Sequence, residues 1–209
     1  LGPAGTFCEQ AALQFFGGAV ELIYCANFDE VFHATEAGQA QFGVVGVESS
    51  AEGVVTRSLD LFLRTPTQMV GEVSLMVRHN VLRQSNSLEG IEVVLAHPQA
   101  LAQCQAWLTA HLPNAERRAV SSNAEGARLA TTNPAWAGLA SERAASQFGL
   151  HIAAHAIQDD AHNRTRFAVI CLPSTLATPP ASGKDSNTKS DGGKSGGGDG
   201  GGGTKSKGP

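Results

Sequence analysis

Two arginines, a threonine and an asparagine stand directly before an apolar run near the end of the globular part of the sequence. The run Phe167–Cys171 predicts a buried strand, and residues 163–166 read Asn-Arg-Thr-Arg. A guanidinium group can bind a carboxylate through paired hydrogen bonds, and a hydroxyl can donate to a departing oxygen. The stretch therefore predicts an anion pocket with a hydrogen-bond donor. The alternative is a solvated basic turn in which Arg166 pairs with Asp159 or Asp160 as a clamp.

Other loops rich in hydroxyls and amides are expected at the same place in the fold. In α/β proteins, ligands meet the loops at the carboxyl ends of strands, where helix N-termini point inward. The matching loops here are residues 2–6, 47–53, 96–99, 121–123, 140–142 and 162–166. Such loops bind small polar anions. Their residues also have structural interpretations: helix caps for Thr6, Ser122 and Asn123, a loop carboxylate for Glu48, and a solvated helix face for Gln103.

Strand and helix signals alternate along the chain, which predicts an α/β fold. Short apolar runs indicate strands of a largely parallel sheet at residues 19–24, 42–47, 91–96, 115–120, 137–140, 151–157 and 166–172. Capping boxes indicate three helix starts, at Thr6 with Glu9, Asn27 with Glu30, and Ser122 with Glu125. Pro98 predicts the start of a fourth helix, over residues 98–112.

The arrangement of these elements predicts two lobes. Residues 69–82 are too long and too alternating for a buried strand, so we interpret them as a connector between two sheets. A second crossing is expected near residues 155–164. Residues 1–173 then form two α/β lobes around a central cleft, lobe one at about 1–75 plus 160–173 and lobe two at about 76–159. Residues 174–209 are rich in glycine and are expected to be a disordered tail.

The composition argues against several classes of protein. The net charge is −4, so nothing indicates a nucleic-acid-binding surface. The histidines and cysteines lack metal-ligand spacing, and we expect no metal and no cofactor. Four dispersed cysteines are typical of a reduced, cytoplasmic protein, and no apolar run is long enough to span a membrane. The chain opens at what resembles the end of a strand, so we expect that residues precede it.

Taken in order, the polar loops resemble the prephenate dehydratase family. Seven stretches match in the family's order and spacing over about residues 1–172. They are GPAGTFCEQAA, GVVGVESSAEGVVTRSLDLF, VRHNVL, AHPQALAQC, SSNAEGARLA, AGLASERAASQFGL and IQDDAHNRTRF. The resemblance implies two α/β lobes around a central cleft, as in type II periplasmic binding proteins.

The resemblance also implies a reaction and its residues. Prephenate would lose CO2 and its ring hydroxyl to give phenylpyruvate, in phenylalanine biosynthesis and without a cofactor. Thr165 would donate to the departing hydroxyl, Arg166 would hold a carboxylate with two prongs, and Phe167 would help to wall off the ring. The other implied residues are Glu48 and Gln103 at the active site, and Thr6, Ser50, Ser122 and Asn123 at polar loop positions.

The chain departs from the family in two places. The family usually reads Pro-Ile-Glu-Asn-Ser where residues 46–50 read Gly-Val-Glu-Ser-Ser, so Ser49 replaces an amide of the implied substrate site. Bacterial members usually continue into a phenylalanine-binding ACT domain, and residues 174–209 lack its strand and helix pattern. We further expect a homodimer or higher homo-oligomer, with a chorismate mutase domain as a candidate for what precedes residue 1.

Two alternatives stay open beside prephenate dehydratase. Arogenate dehydratase would perform the same chemistry on a substrate that carries an amine. A non-catalytic solute-binding protein would share the two-lobed fold, and it would have a secretion signal and no acid near its ligand. Formation of phenylpyruvate by the purified protein would separate these functions.

Overall fold

A computed structural model describes residues 1–176 of the chain. The strands are β1 (Gly43–Ser49), β2 (Gly53–Val54), β3 (Gln68–Met76), β4 (Asn80–Arg83), β5 (Val93–Ala96), β6 (Glu116–Ala119), β7 (Trp136–Ala140), β8 (His151–Ala154) and β9 (Arg164–Cys171). The helices are α1 (Phe7–Phe16), α2 (Phe28–Glu36), α3 (Thr56–Arg64), α4 (Pro98–Gln103), α5 (Gln105–His111), α6 (Asn123–Ala130), α7 (Glu142–Phe148) and α8 (Pro173–Leu176).

The strands form two sheets, which confirms the prediction of an α/β fold with two lobes. The first sheet has the order β2-β1-β9-β3 and the second has the order β6-β5-β7-β4-β8. The prediction of a largely parallel sheet was wrong. Among the described residues, β5 runs parallel to β6 and β7, and the other paired strands run antiparallel. In the first sheet, β3 leads the chain out to the second sheet and β9 leads it back. These two neighbouring strands therefore run in opposite directions.

The chain crosses between the sheets twice, as the sequence predicts. Residues 69–82 contain the end of β3 in the first sheet and the start of β4 in the second, separated by residues 77–79. The return path joins β8 in the second sheet to β9 in the first through residues 155–163. The exact lobe boundaries near residues 75 and 160 stay predictions.

Helices cover both faces of each sheet. Val73, Phe167 and Val169 pack against α1, whereas Val45 and Ile170 pack with residues of α2 and α3 on the opposite face. The second sheet has a larger apolar cluster on the side of α4 and α5, and a smaller one against α6 and α7. The alternation of side chains along β9 therefore assigns its even and odd residues to different helix layers.

Residues 19–24 do not form the predicted strand. A cavity of about 460 Å³ lies between residues 20–25 and residues 39–44, so no neighbouring strand pairs with this segment. The backbone nitrogen of Gly2 donates to the carbonyl of Cys25 at 2.8 Å. An apolar run becomes a strand only where a second backbone satisfies its hydrogen bonds.

The predicted helix over residues 98–112 is two helices that meet at Cys104. The carboxylate of Asp159 accepts hydrogen bonds from the backbone nitrogens of Ala106 and Trp107, at 2.9 and 3.1 Å. Asp159 thus caps α5 from the second crossing and satisfies N–H groups that a helix start leaves free. It is therefore not the clamp on Arg166. The break leaves Gln103 as the last residue of α4.

Part of the predicted tail lies within the described residues, and there α8 occupies residues 173–176. The remainder of the prediction concerns residues 177–209, which lie outside the described residues. Within residues 1–176, none of the helices has the length and apolar character that crossing a bilayer requires.

Candidate active site

Arg164 and Thr165 belong to a strand and not to the loop that the sequence predicts, whereas Arg166 lies in the strand predicted over residues 166–172. β9 begins at Arg164 because β3 and β1 continue beside it: Thr165 pairs with Leu75 on one side and with Ser49 on the other. Successive side chains of a strand point to opposite faces. Thr165 therefore lies on the face that packs against α1, and Arg166 lies on the other. The structure does not bring these two side chains to one face.

A partly buried polar network stands on the Thr165 side. Nδ2 of Asn163 donates to Oε1 of Gln103 at 2.9 Å, and Oγ of Ser50 lies 3.5 Å from Oδ1 of Asn163. Ser50 also accepts from the backbone nitrogen of Arg164 at 2.8 Å. The network joins the turn after β1, the end of α4 and the start of β9, so it connects the two lobes.

His79 completes this network from the first crossing. Its Nε2 lies 2.9 Å from Oε1 of Gln103, and its backbone nitrogen donates to Oε1 of Gln158 at 3.1 Å. Burial lowers the pKa of His79, against the opposing effect of its hydrogen bond to Gln103. A neutral imidazole is expected here, because a charged ring would lose its hydration without a countercharge.

The N-terminus of α1 lies beside this network. Thr6 caps the helix, since its Oγ1 accepts from the backbone nitrogen of Glu9 at 3.4 Å. The next residue, Phe7, makes an edge-to-face contact with His79, with ring centroids 5.8 Å apart. A Cβ at Gly5 would lie 3.7 Å from Cβ of Ala124 in α6. The loop that leads into α1 therefore approaches the first turn of α6, and the partial positive charges of the two helix N-termini favour an anion near them.

Ser122 and Asn123 fix the start of α6. Oγ of Ser122 accepts from the backbone nitrogen of Glu125 at 3.0 Å, and Oδ1 of Asn123 accepts from that of His97 at 2.9 Å. Both side chains therefore act as structural acceptors, and the Asn123 bond ties α6 to the start of α4. The tight seating of α6 on its sheet depends on Gly138, where an added Cβ would lie 2.6 Å from the nitrogen of Ala127.

A buried carboxylate links the first turn of α1 to α7. Glu9 is 4% exposed and accepts from Nε of Arg143 at 2.8 Å and from the backbone nitrogen of Gly5. Oγ of Ser141 donates to the carbonyl of Gly5 at 3.2 Å. These bonds hold the loop before α1 against the second lobe, and they make Glu9 a partner of Arg143 in addition to its predicted place in a capping box.

Arg166 and Glu48 form an ionic cluster on the opposite face of β9. The guanidinium of Arg166 donates to Glu48 at 2.6 Å and to both carboxylate oxygens of Glu72 at 2.9 and 2.6 Å. The hydrogen bond from Arg166 lowers the pKa of Glu72, and the two carboxylates raise the pKa of Arg166. Arg166 is predicted to bind a substrate carboxylate through two hydrogen bonds, and in the structure it makes these two bonds to Glu72.

Ser49 and Phe167 share the Thr165 face but differ in what they contact. Ser49 is buried at the end of β1, where its Oγ accepts from the backbone nitrogen of Ala51 at 3.3 Å. Phe167 is 3% exposed and packs in the core beneath α1. This placement favours a core role for Phe167 over the predicted contact with a ring.

The sequence gives no individual role to Glu72, His79, Arg143 or Asn163, and it gives Glu9 only a place in a capping box. Each is polar, and each finds its partner far along the chain. A local signal exists for one of them: a histidine inside the apolar stretch VRHNVL indicates a buried polar group that needs a partner. The cavity of about 460 Å³ beside residues 20–25 is lined by Glu9 but by none of the residues that the sequence predicts for the substrate site.

Comparison with known proteins identifies the family to which the chain belongs. The family model described as prephenate dehydratase matches residues 1–175. The bifunctional chorismate mutase/prephenate dehydratase of Neisseria gonorrhoeae is 49% identical over 173 residues, which cover 81% of this chain and 48% of the relative. The arogenate dehydratase/prephenate dehydratase 2 of Arabidopsis thaliana is 39% identical over 81% of this chain and 44% of its own length.

A solved structure supports the same fold. The prephenate dehydratase of Arthrobacter aurescens, in complex with L-Phe, superimposes with a TM-score of 0.75 at 31% identity. The match covers 83% of this chain and 59% of the solved one. It confirms the predicted fold class of two α/β lobes. The chain spans about half the length of the curated relatives described above.

Proposed function

Because this chain belongs to the prephenate dehydratase family, we propose that it converts prephenate to phenylpyruvate, CO2 and water. Prephenate is the substrate of the family. The match over residues 1–175 carries the proposal, since it spans both sheets and every candidate site residue. The activity belongs to phenylalanine biosynthesis, and the enzyme class is a carbon–oxygen lyase.

The reaction makes specific demands on the site. The bond between the ring and its carboxylate breaks to release CO2, and the electron pair enters the ring. The bond to the ring hydroxyl then breaks on the far side, and the oxygen takes up one proton as it leaves as water. Formation of the aromatic ring supplies much of the driving force. The protein must therefore hold a dianion and stabilise the negative charge that develops on the departing oxygen.

Thr165 is the proposed donor to this oxygen. Its position on the α1 face, beside the Asn163–Gln103 network, supports this role. A threonine hydroxyl is a weak acid, so it stabilises the departing oxygen by a hydrogen bond and relays a proton from water. Ser49 lies opposite Thr165 across the strand pair and is proposed to line the same place.

The two carboxylates of the substrate need positive potential. The N-termini of α1 and α6, capped by Thr6 and Ser122, support a role in binding one of them. For Arg166 to bind the other, its bonds to Glu48 or Glu72 must be exchanged, so that role stays a prediction. Asn123 and Ser50 are proposed to shape the site through the backbone groups that they hold.

Arogenate is the second candidate substrate. The Arabidopsis relative, whose name gives both activities, is 39% identical to this chain. Arogenate carries an ammonium group where prephenate carries a keto oxygen, so its binding would require an acceptor at that position. Parallel assays on the two substrates would distinguish these activities.

The proposed function extends to the partner activity, the location and the assembly of the enzyme. The name of the Neisseria relative supports chorismate mutase as a partner activity of this protein. Biosynthetic chemistry and four free cysteines support a cytoplasmic enzyme. A homo-oligomer is proposed on the family resemblance alone.

The decisive experiment is a turnover assay on the purified chain. We expect phenylpyruvate to form from prephenate, with slower or no turnover of arogenate. The matched control is Thr165→Ala at equal concentration, since its loss of activity ties the signal to this chain and not to a contaminant. Prephenate that remains unchanged in the presence of correctly folded wild-type protein would contradict the proposed function.

A further inference from the structure

One oxygen of Gln103 serves two partners. Its Oε1 accepts from Nδ2 of Asn163 and lies at the same distance, 2.9 Å, from Nε2 of His79. His79 and Asn163 are 2% and 1% exposed, whereas Gln103 is half-buried. In the part of the chain that the structure describes, nothing forms a hydrogen bond with Nε2 of Gln103. The amide oxygen of Gln103 is therefore hydrogen-bonded, and its nitrogen is free to bind another group.

An unpartnered atom of His79 determines which end is engaged. Nδ1 of His79 is buried and has no hydrogen-bond partner. A buried N–H without an acceptor is rarer in proteins than a buried acceptor without a donor. The proton of the neutral ring therefore sits on Nε2, and Nδ1 holds the lone pair. Nε2 must then donate to Gln103.

The donor on His79 fixes the orientation of the Gln103 amide. With Nε2–H of His79 and the Nδ2 group of Asn163 both donating, an oxygen must face them. Rotation of the amide by 180° would set N–H groups against N–H groups. The NH2 group of Gln103 consequently points away from the buried pair. The amide lies near Thr165, because Asn163, to which it is hydrogen-bonded, is two residues before Thr165 in the chain.

We propose that His79 and Asn163 are positioning residues that lock the Gln103 amide so that its NH2 group is presented to the substrate. The group that it binds is a carboxylate or keto oxygen, since a locked NH2 group cannot accept a hydrogen bond from an ammonium group. The inference rests on the proposed dehydratase function and adds to it the source of one hydrogen-bond donor. His79 and Asn163 act through Gln103 and do not touch the substrate.

A double-mutant cycle on the full chain tests this coupling. Asn163→Asp replaces one of the two donors to Oε1 of Gln103 by an acceptor of the same shape, so the amide should no longer be held in the orientation that presents its NH2 group. We expect kcat/KM for prephenate to fall about tenfold to a hundredfold, chiefly through KM. In a Gln103→Ala background the same change should alter KM less than about threefold. Equal effects in both backgrounds would overturn the proposal.

Two further variants separate positioning from stability. Asn80→Asp makes the same chemical change at an equally buried asparagine that bonds Ala140 and Ala156 and not Gln103. It should lower the melting temperature and leave KM unchanged. At His79, glutamine can keep a donor near the position of Nε2 and leucine cannot. His79→Gln should therefore retain a KM near that of the wild type, and His79→Leu should raise it.

The protonation of His79 provides a readout that does not depend on turnover. The ¹⁵N shifts of the His79 ring in the full chain should report a proton on Nε2 and none on Nδ1. A proton on Nδ1 would contradict the proposed orientation of the Gln103 amide, whatever the activity of the enzyme. If the tautomer is as expected but wild-type protein does not turn over prephenate, the proposed function fails and the lock stands.

Discussion

Asn163 is 1% exposed and the side chain of Arg166 is 48% exposed, although both stand at the start of β9. Asn163 belongs to a neutral network with Gln103 and His79, on the face that carries Thr165. Arg166 belongs to an ionic cluster with Glu48 and Glu72 on the other face. The alternation of one strand thus divides a short polar stretch between two environments.

The difference in burial determines how firmly each cluster is held. A buried hydrogen bond has no water to replace it, so the loss of one partner leaves the other unsatisfied at a cost of about 1–3 kcal/mol. Exposed ion pairs are screened and exchange readily with water and with other anions. The Thr165 face is therefore suited to hold a fixed donor. The Arg166 face is suited to exchange one carboxylate for another.

The largest expected effect is that of Thr165→Ala on turnover. The hydroxyl is proposed to stabilise charge that appears only as the ring hydroxyl departs, so its loss should lower kcat and spare KM. Loss of one such donor costs about 10²–10³ in kcat. Steady-state kinetics with prephenate would measure the change.

Thr165→Ser is the matched control for this effect. It keeps the hydroxyl and should retain much of the rate, and both variants should melt near the wild-type temperature. A near-normal kcat in Thr165→Ala, or a loss of activity explained by unfolding, would remove the functional distinction between the two faces.

Local signals in the sequence predicted the helix starts well. The pairs Thr6 with Glu9, Asn27 with Glu30 and Ser122 with Glu125 each produce the expected cap, because a cap is made by residues three positions apart. The two crossings between sheets were also predictable, since a long alternating segment differs from the short apolar runs around it.

The predictions that were wrong concern structural features that depend on residues far apart in the chain. Residues 163–166 look like a turn until β1 and β3 are placed beside them, and that context alone separates Thr165 from Arg166. The helix break at Cys104 needs the carboxylate of Asp159, more than fifty residues away. The grip of Arg166 on Glu72 likewise joins positions with no local relation.

A smaller effect is expected for Arg166→Lys, on the exposed face. Lysine keeps the charge, but its single ammonium group cannot reproduce the planar contacts with Glu48 and Glu72. We expect KM to rise about three- to tenfold. The value of kcat should stay within about threefold, because this face does not contact the departing hydroxyl. Kinetics of the purified variant would measure both constants. A fall in kcat as large as that of Thr165→Ala would mean that the two faces work as one unit.

The smallest expected effect is that of Glu72→Gln, and it decides whether the ionic cluster binds substrate at all. If Arg166 receives a substrate carboxylate, Glu72 competes for the same N–H groups, so neutralising Glu72 should lower KM. Because exposed ion pairs are weak, the decrease should not exceed about fivefold. The variant should keep its kcat and its melting temperature, and Glu116→Gln, which breaks an exposed pair with Arg118, is the matched control with no change in KM. An unchanged KM in Glu72→Gln would assign Arg166 to holding Glu48 and Glu72, and the predicted grip on the substrate would be wrong.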